Sequence, residues 1–448
     1  MLYDELEAWA ENGRLPFHMP GHKRRGSGHY DEWFRHDITE IPGFDCLGEA
    51  SGILKEAQER AAELYGADRS FYLVNGSTAG ILAAISAAVS RGGCILMQRS
   101  CHYSACHAAL LRDLDVVWLY DDDGPIELKD VKYAMFENPD IEAVFLTSPS
   151  YDGESLPLRE IAEYVHFLGK PLIVDSAHGA HFGLAEGLPA SAVAEGADYT
   201  IMSLHKTLPA PNPAALLHIK GEMADEEKVK DFLKIYQTSS PSYPLMAAMD
   251  DCIGLMKKEG AKLFEDFLKR RKSLDEKLKG LEHIRIPGLS DPGLDPCKLA
   301  LYPENGDGDK LAEGLHREGI EYEMGSADHV LLILTIADGD EEFEILAEAM
   351  KRVDAECSGR RRVYLQDPVV RPMIAALMSE AAEEEYSWEE LRNCEGAVSA
   401  GFIYEYPPGR PLIVPGEVFM REELEYIRKR SDRLTGVKDG KIRVVDEG

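Results

Sequence analysis

The sequence predicts an α/β protein built on a mainly parallel β-sheet. Six short apolar runs lie between residues 71 and 205, and they read FYLVN, CILMQ, VVWLY, AVFLTS, PLIVDSA and YTIMSLH. Their near-continuous apolarity is typical of strands that are buried on both faces of a parallel sheet. The segments between the runs are long enough for the crossover helices that connect parallel neighbours. Such a sheet binds its ligands at the carboxyl ends of its strands.

An amphipathic helix is predicted just before this block. In the segment SGILKEAQERAAELYGA, apolar residues recur every three or four positions from Ile53 to Tyr65, which places them on one helical face. Gly66 follows, and glycine commonly ends a helix because it tolerates left-handed backbone angles. We therefore expect a helix with one buried face that ends at Gly66.

The chain changes character twice after the block of strands. Beyond Pro241 and Pro244, a long helical stretch from about residue 245 to 282 leads to short strands and a further helix. The last part contains the segment YPPGRPLIVPGE, whose prolines forbid a central strand or a helix through it. We predict an N-terminal arm (1–45), a large α/β domain (46–244), a smaller α+β domain (245–358) and a C-terminal domain (359–448).

Composition narrows the classes of function. The formal net charge of -31 would repel nucleic acid and anionic lipid, so neither is an expected partner. The eight cysteines form no CxxC pair and no zinc-like group with histidine, and no metal is expected. No run of about eighteen apolar residues occurs, and the N-terminus MLYDELEAWAENGR is acidic where a secretory signal is basic and apolar. These features predict a cytoplasmic protein.

The strongest local signal is the segment SLHKTLP, in which Lys206 follows an apolar strand. A lysine at such a strand end can be partly desolvated, which lowers its pKa and leaves a neutral amine that can form a Schiff base with an aldehyde. The alternative is an ordinary surface lysine, which is far commoner for a lysine chosen at random. Neighbouring motifs have to decide between the two.

Asp175 ends the predicted strand PLIVD and should lie at the ligand-binding edge of the sheet. A carboxylate there can pair with a protonated pyridine nitrogen and keep the ring cationic, which makes it an electron sink. The alternative is that Asp175 only caps the next helix.

The segment VNGSTAG places Ser77 and Thr78 between a strand and an apolar helix. Its backbone N–H groups, its hydroxyls and the positive end of the helix dipole suit a phosphate monoester, although a simple helix cap is equally compatible. No lysine follows the hydroxyls and no GxGxxG pattern is present, so a nucleotide is not implied. His102, in QRSCHYS, could lay its ring against another ring, or it could be a polar surface residue.

The motifs also occur in a recognisable order. LPFHMPGHK, ITEIPGFDCL, NGSTAG, QRSCHYS, IVDSAHGAHF, SLHKTLPA and YPPGRPLIVPGE together resemble the bacterial ornithine/lysine/arginine decarboxylases, which are fold-type I pyridoxal-phosphate enzymes. The resemblance runs from about residue 3 to 430 and is to the shorter members, which have no receiver-like wing domain. It implies an aspartate aminotransferase-like large domain that binds pyridoxal 5'-phosphate, and a C-terminal domain of the decarboxylase type.

The resemblance also implies roles for single residues. Lys206 is similar to the Schiff-base lysine and Asp175 to the partner of the pyridinium, and Lys206 or His205 would protonate Cα after loss of CO2. His102 would stack on the pyridine ring, and His178 would lie near the hydroxyl edge of the cofactor. The cofactor phosphate would be held by Ser77, Thr78, Ser203 and His205.

The activity implied is decarboxylation of lysine, arginine or ornithine to the amine and CO2, as in polyamine metabolism, by a homodimer or higher homo-oligomer with interface active sites. An aminotransferase or lyase on the same fold, or a regulator that binds the cofactor without catalysis, is the alternative. The sequence departs from the family at Pro211, Asn212 and Pro213, which can alter hydrogen bonding beside the cofactor. The carboxylate for the distal cation of the substrate is left open among Asp45, Glu49 and Glu417, and for each of them a solvated surface position is the commoner case.

Overall fold

Strands and helices alternate along the first half of the chain, as the sequence predicts. The computed structural model of the protein describes residues 1–12, 15, 17–24, 29–121, 124–287, 293–359, 371–406, 409–431 and 433–446. Its largest sheet has seven strands. The predicted α/β class with a large, mostly parallel sheet is confirmed.

The helices and strands have the following bounds. The helices are α1 (Leu2–Glu11), α2 (Asp31–His36), α3 (Ile53–Tyr65), α4 (Gly76–Ala88), α5 (Tyr103–Leu111), α6 (Leu128–Glu137), α7 (Leu158–Phe167), α8 (Leu204–Thr207), α9 (Glu226–Tyr236), α10 (Tyr243–Leu278), α11 (Gly308–Arg317), α12 (Asp340–Asp354), α13 (Met378–Glu383) and α14 (Arg421–Arg430). The strands are β1 (Arg69–Leu73), β2 (Cys94–Gln98), β3 (Asp115–Leu119), β4 (Ile141–Thr147), β5 (Leu172–Asp175), β6 (Tyr199–Ser203), β7 (Ala215–Ile219), β8 (Ile284–Arg285), β9 (Lys298–Pro303), β10 (Met324–Gly325), β11 (Val330–Ile333), β12 (Tyr386–Glu390), β13 (Ile403–Glu405), β14 (Arg410–Ile413), β15 (Leu434–Thr435) and β16 (Lys441–Val445).

The chain divides into two compact units. The described residues of the first lie within Met1–Ala84, Ser148–Arg159 and Val174–Arg362, and those of the second within Ile85–Thr147, Glu160–Ile173 and Val363–Gly448. In the first unit the strand order of the large sheet is β1-β7-β6-β5, and in the second it is β5-β4-β2-β3. The four predicted regions divide the chain differently, and their boundaries stay a prediction.

Strand β7 was not foreseen, and it makes the sheet mixed. It runs antiparallel to both of its neighbours, β1 and β6, whereas β2 runs parallel to β3 and β4. Only residues 204–214 separate β6 from β7, and they contain the one short helix α8. Parallel neighbours need a crossover of a dozen or more residues, so a connection this short returns the chain antiparallel.

The expectation of a crossover helix between each pair of strands is wrong for β5 and β6. Residues 176–198 form a series of turns and contain no helix, and all of them are described. This segment carries AHGAH, and its turns keep both histidines in the first unit, close to the ends of β5 and β6. The site therefore begins in this irregular segment.

Two predicted helices organise the core of the first unit. Helix α3 spans Ile53–Tyr65 as expected, and Gly66 ends it with φ of 68°. Helix α10 spans Tyr243–Leu278; the hydroxyl of Ser242 caps it and Pro244 lies in its first turn, where its missing N–H costs nothing. Both helices bury residues in one hydrophobic core with the four-stranded antiparallel sheet β10-β11-β9-β8.

The C-terminal part of the second unit contains two small sheets, β12-β16 and β14-β13-β15, around their own hydrophobic cluster. Pro411 lies in β14, which is an edge strand, so the prediction that prolines exclude a central strand from YPPGRPLIVPGE is confirmed. Among the described residues, no helix combines the length and apolarity needed to cross a bilayer.

Candidate active site

Lys206 lies at the carboxyl end of β6, in the short helix α8. Its Nζ is 3.0 Å from Nε2 of His178. Burial lowers the pKa of Lys206 below that of an ordinary lysine, although the carboxylates of Asp175 and Glu323 act in the opposite direction. A lowered pKa makes the neutral amine more accessible than in an ordinary lysine.

Asp175 is the last residue of β5 and is buried. Its Oδ1 accepts a hydrogen bond from the N–H of Ala177 at 3.0 Å, which closes a local turn; no helix follows for it to cap. Burial raises the pKa of Asp175, and the charge of Lys206 only partly opposes this effect. A buried carboxylate of this kind is suited to a cationic partner such as a protonated pyridine ring.

His178 lies between two lysines. Lys206 contacts its Nε2, and the Nζ of Lys298 is 2.9 Å from its Nδ1. Lys298 is the first residue of β9 and is almost fully buried, and burial lowers its pKa to about 8. The ring of Tyr151 lies 5.1 Å from Nζ of Lys298 and meets the ring of His178 edge-on.

A second hydrogen-bonded pair also joins the turns after β5 to the start of β9. Nε2 of His181, three residues after His178, is 2.8 Å from Oδ1 of Asp295, three residues before Lys298. The same Oδ1 accepts the N–H of Cys297, and Arg271 donates to the carbonyl of Lys298. The buried start of β9 is therefore held in place on both sides.

His181, Asp295 and Cys297 also bring three potential metal ligands within 4.8 Å of one another. The buried cations Arg271 and Lys298 lie beside this group, and burial raises the pKa of the Cys297 thiol well above its usual value. A metal cation would meet repulsion and a neutral thiol here, so the group is better explained as a structural hydrogen bond between His181 and Asp295 beside a buried thiol.

Hydroxyls and a helix N-terminus lie where a phosphate could be held. Helix α4 begins at Gly76, which has φ of 75°, and its first turn carries half-buried Ser77 and exposed Thr78. The Oγ atoms of Ser203 and Ser176 and the Oγ1 of Thr207 are buried without a hydrogen-bond partner among the described residues. An unpartnered buried hydroxyl is costly, and an acceptor such as a phosphate oxygen would satisfy it.

His205 is held by its Nδ1, which is 2.8 Å from the carbonyl oxygen of Ala214. Because a carbonyl only accepts, Nδ1 carries the proton. Burial lowers the pKa of His205, so the ring is neutral and its Nε2 has no proton to give. Lys206 is therefore the better of the two predicted proton donors to Cα.

Comparison with known proteins decides the family. A family model described as Orn/Lys/Arg decarboxylase, major domain, matches residues 1–288, and the C-terminal domain of the same family matches residues 359–433. The chain belongs to the Orn/Lys/Arg decarboxylase family. The resemblance inferred from the seven motifs is thereby confirmed.

Similar proteins match along almost the whole chain. The protein named "Uncharacterized protein YaaO" of Bacillus subtilis is 34% identical over 464 residues, which cover 98% of this chain and 95% of that protein. Arginine decarboxylase of B. subtilis is 29% identical and covers 99% and 96%. The crystal structure of the Francisella novicida lysine decarboxylase LdcF has a TM-score of 0.84 at 19% identity, covering 99% of this chain and 81% of that one.

The residues of this family member fit pyridoxal phosphate on their own chemistry. Lys206 offers an amine of lowered pKa for an aldehyde, Asp175 offers a buried carboxylate for a ring cation, and Ser203 offers an unpartnered hydroxyl. The loop that departs from the family pattern lies close to this turn, because a Cβ added at Gly76 would lie 3.5 Å from Cβ of Pro213. The Pro211–Pro213 departure therefore packs against the turn expected to hold the phosphate.

His102 belongs to the second unit of the decarboxylase-family chain. It is the N-cap of α5, with its Nδ1 accepting the N–H of Ser104, and its ring centroid is 4.1 Å from that of Tyr103. Its stacking on the cofactor stays a prediction.

The three carboxylates considered for the distal cation of the substrate all have other partners. Asp45 accepts three backbone N–H groups around the start of α3, and Glu49 pairs with Lys234 at the surface. Glu417 is not on a solvated face, as was expected, but is buried against Arg99 at 2.6 and 2.9 Å. None of these contacts supports a role in substrate binding.

Four site residues were not predicted from the sequence: Lys298, Asp295, Tyr151 and Glu323. Glu323 immediately precedes β10 and accepts a hydrogen bond from the hydroxyl of Tyr151 at 2.5 Å. The segment DPCKLAL did carry a signal, since Asp295 and Lys298 flank the start of a buried strand, where unpaired charges are rare.

Proposed function

We propose that this protein decarboxylates arginine, using pyridoxal 5'-phosphate bound to Lys206. Decarboxylation of a basic amino acid follows from its family and from its arginine and lysine decarboxylase relatives. The observation that carries the proposal is the grouping of Lys206, Asp175 and His178 at the carboxyl ends of β5 and β6.

Each residue has a distinct task in this proposal. Lys206 binds the aldehyde carbon through its amine and later returns a proton to Cα of the substrate. Asp175 holds a proton on the pyridine nitrogen by its charge, and Ser203 with the α4 N-terminus binds the phosphate. When bound, pyridoxal phosphate supplies the electron sink for the pair released from the Cα–carboxylate bond.

Arginine is favoured over lysine by the pattern of relatives. The arginine decarboxylases of four Bacillus-type bacteria are 28–29% identical and are covered over 92–98% of their length. The lysine decarboxylases of Escherichia coli are 23–24% identical and are covered over 68–76%. The product would be the amine of arginine, a precursor in polyamine metabolism.

Glu323 is the proposed acceptor for the distal cation of the substrate. It is exposed and in contact with Tyr151, and its charge raises the pKa of Lys206 and of Lys298 against the effect of burial. A carboxylate so close to the cofactor-binding lysine can accept charge-assisted hydrogen bonds from a guanidinium.

Glu323→Gln should therefore raise KM for arginine about tenfold or more, with a smaller change in kcat, because a charge-assisted bond contributes about 1.5–3 kcal/mol. Steady-state kinetics measure both constants. Glu321→Gln, which changes another exposed carboxylate two residues away, is the matched control and should leave KM unchanged. An unaltered KM in Glu323→Gln would rule out this acceptor.

Asp175→Asn should lower kcat by roughly 100-fold or more, since a neutral amide cannot hold the ring nitrogen protonated. Asp175→Glu, which keeps the charge, should retain more activity than Asp175→Asn. Both variants should fold, because the carboxyl is already buried at a raised pKa and the amide removes a buried charge. Full activity in Asp175→Asn would contradict its role.

The homodimer is proposed to use the exposed N-terminal segment around PGHK. Leu15, Phe17 and Met19 are 66, 90 and 67% exposed, which is unusual for three apolar residues so close in sequence. Phe17→Asp should shift the molar mass in light scattering from dimer to monomer and reduce activity. An unchanged molar mass would place the interface elsewhere.

The cytoplasmic location stays a prediction.

The reaction class is tested by identifying the products. Purified, cofactor-loaded protein is incubated with arginine, and the organic product is identified by mass spectrometry. An amine that has lost the carboxylate supports the proposal, whereas a keto acid would indicate an aminotransferase. Binding of the cofactor without any product would indicate the regulator.

A further inference from the structure

The two lysines on His178 cannot both be ammonium ions. A neutral imidazole has one nitrogen that donates and one that accepts, while an ammonium group only donates. Lys206 and Lys298 lie 3.0 and 2.9 Å from the two ring nitrogens of the same histidine. One lysine must therefore be a free amine that accepts from the ring N–H.

We propose that Lys298 is the charged partner: its ammonium donates to Nδ1 of His178 and so fixes the tautomer whose Nε2–H donates to a neutral Lys206 amine. Lys298 is then a positioning residue that acts on Lys206 through His178. The proposal rests on the assignment of Lys206 made above. It concerns the state of this lysine before the cofactor arrives.

The surroundings of Lys298 favour a cation there. The face of the Tyr151 ring lies 5.1 Å from its Nζ, an arrangement that stabilises ammonium ions. The carboxylate of Asp295, held by His181, stabilises the same charge. The stem of Lys298 packs closely against Gly153, where an added Cβ would lie 2.8 Å from Cγ of Lys298.

The neutral state of Lys206 matters for bond formation. A neutral Lys206 could condense with the aldehyde of the cofactor, whose oxygen would leave as water with the two protons of the amine. An ammonium ion has no lone pair and must first lose a proton. Repulsion between the two charges is mutual and lowers the pKa of Lys298, so ammonium ions on both lysines at once are disfavoured.

Several titratable groups surround the two lysines and contribute to their behaviour. They come from the turns after β5, from α8, from the start of β9, from the segment before β10 and from residues 148–159. These groups are Asp152, Asp175, His178, His205, Asp295, Cys297 and Glu323.

The test measures the protonation of Lys206 directly, in the full-length protein freed of cofactor. Brief labelling with acetic anhydride at a series of pH values modifies only free amines, and mass spectrometry of the Lys206 peptide gives the midpoint of its titration. Exposed Lys269, on α10, serves as the internal reference, and Lys262→Met, which removes another exposed lysine of the same helix, as the control. Turnover is not required, so a failure of the proposed function would not affect this result.

In the unaltered protein, the midpoint for Lys206 should lie below that for Lys269. Lys298→Met keeps the shape of the stem and removes the charge. It should raise the midpoint of Lys206 by about one pH unit, so that Lys206 is labelled about tenfold more slowly at pH values below its midpoint. Lys298→Arg keeps a permanent charge, so its midpoint should be no higher than that of the unaltered protein.

An unchanged Lys206 midpoint in folded Lys298→Met would overturn the proposal. A Lys206 midpoint that rises by about one pH unit in Lys298→Arg would overturn it as well. Circular dichroism reports folding. If Lys298→Met does not fold, the Arg variant decides alone: a midpoint at or below that of the unaltered protein supports the proposal, and a higher one overturns it.

Discussion

Lys206→Ala is expected to lower decarboxylation by roughly a thousandfold or more, because it removes both the amine that binds the aldehyde and the proposed proton donor to Cα. No described neighbour can replace it. Lys298 is engaged with the other side of His178, and the Nδ1 proton of His205 is committed to Ala214. The visible absorbance of the covalently bound cofactor should disappear with the activity.

Two controls separate this loss from a general defect. Lys206→Arg keeps a positive charge but cannot become a neutral amine, so it should be as inactive as Lys206→Ala. Lys269→Ala removes an exposed lysine whose partner is Asp266 and should leave activity unchanged. Substantial turnover in Lys206→Ala, with normal circular dichroism, would contradict the assignment of the cofactor-binding lysine.

Glu417→Ala is expected to cost about 3–5 kcal/mol of the free energy of unfolding, because it leaves a buried guanidinium without its counter-charge. The side chains of Arg99 and Glu417 are 5% and 1% exposed, and two hydrogen bonds of 2.6 and 2.9 Å join them. Arg99 also donates to the carbonyl of Leu412 and lies over the ring of Trp118. Urea denaturation followed by circular dichroism measures the change.

The matched control is an exposed pair in the same unit. Arg91 and Asp113 are 71% and 35% exposed, so Arg91→Ala should cost less than about 1 kcal/mol. Replacing both members of the buried pair, Arg99→Met with Glu417→Leu, should restore most of the stability lost in Glu417→Ala. A cost for Glu417→Ala no larger than that for Arg91→Ala would show that the buried pair contributes no more to stability than an exposed one.

The C-terminal part of the second unit also contacts the loop after β2, which carries His102. Arg99 lies three residues before His102, and the next residue, Tyr103, donates its N–H to the carbonyl of Gly409. Its ring stacks on that of Tyr404 at 4.9 Å. The C-terminal part of the second unit therefore holds the loop that carries His102, which gives this region a structural role in addition to its own fold.

Local patterns in the sequence were sufficient to predict which residues lie at the carboxyl ends of the strands. Lys206 and Asp175 each follow an apolar run, so their positions at the carboxyl ends of β6 and β5 could be predicted without tertiary information. The apolar face of helix α3 and its end at Gly66 were predicted, because the apolar spacing and the glycine are both local signals. What these signals could not establish is the identity of partners distant in sequence.

The residues that contact the predicted site residues lie far from them in sequence. Lys298 follows His178 by 120 positions, and nothing local indicates which histidine its ammonium meets. Glu417 is an acidic residue among 80 in the chain, and only the fold pairs it with Arg99, 318 positions earlier. The turns of residues 176–198 were missed for a related reason, since tertiary contacts of their histidines replace a regular helix.

The measurement that tests the account most directly is release of labelled CO2 by the cofactor-loaded protein from carboxyl-labelled arginine, lysine and ornithine, each supplied separately. The account predicts release from arginine at the highest kcat/KM, and its loss in Lys206→Ala. Release from lysine or ornithine alone would keep the reaction but contradict the substrate. No release from any of the three, with the cofactor bound to Lys206, would contradict the proposed function itself.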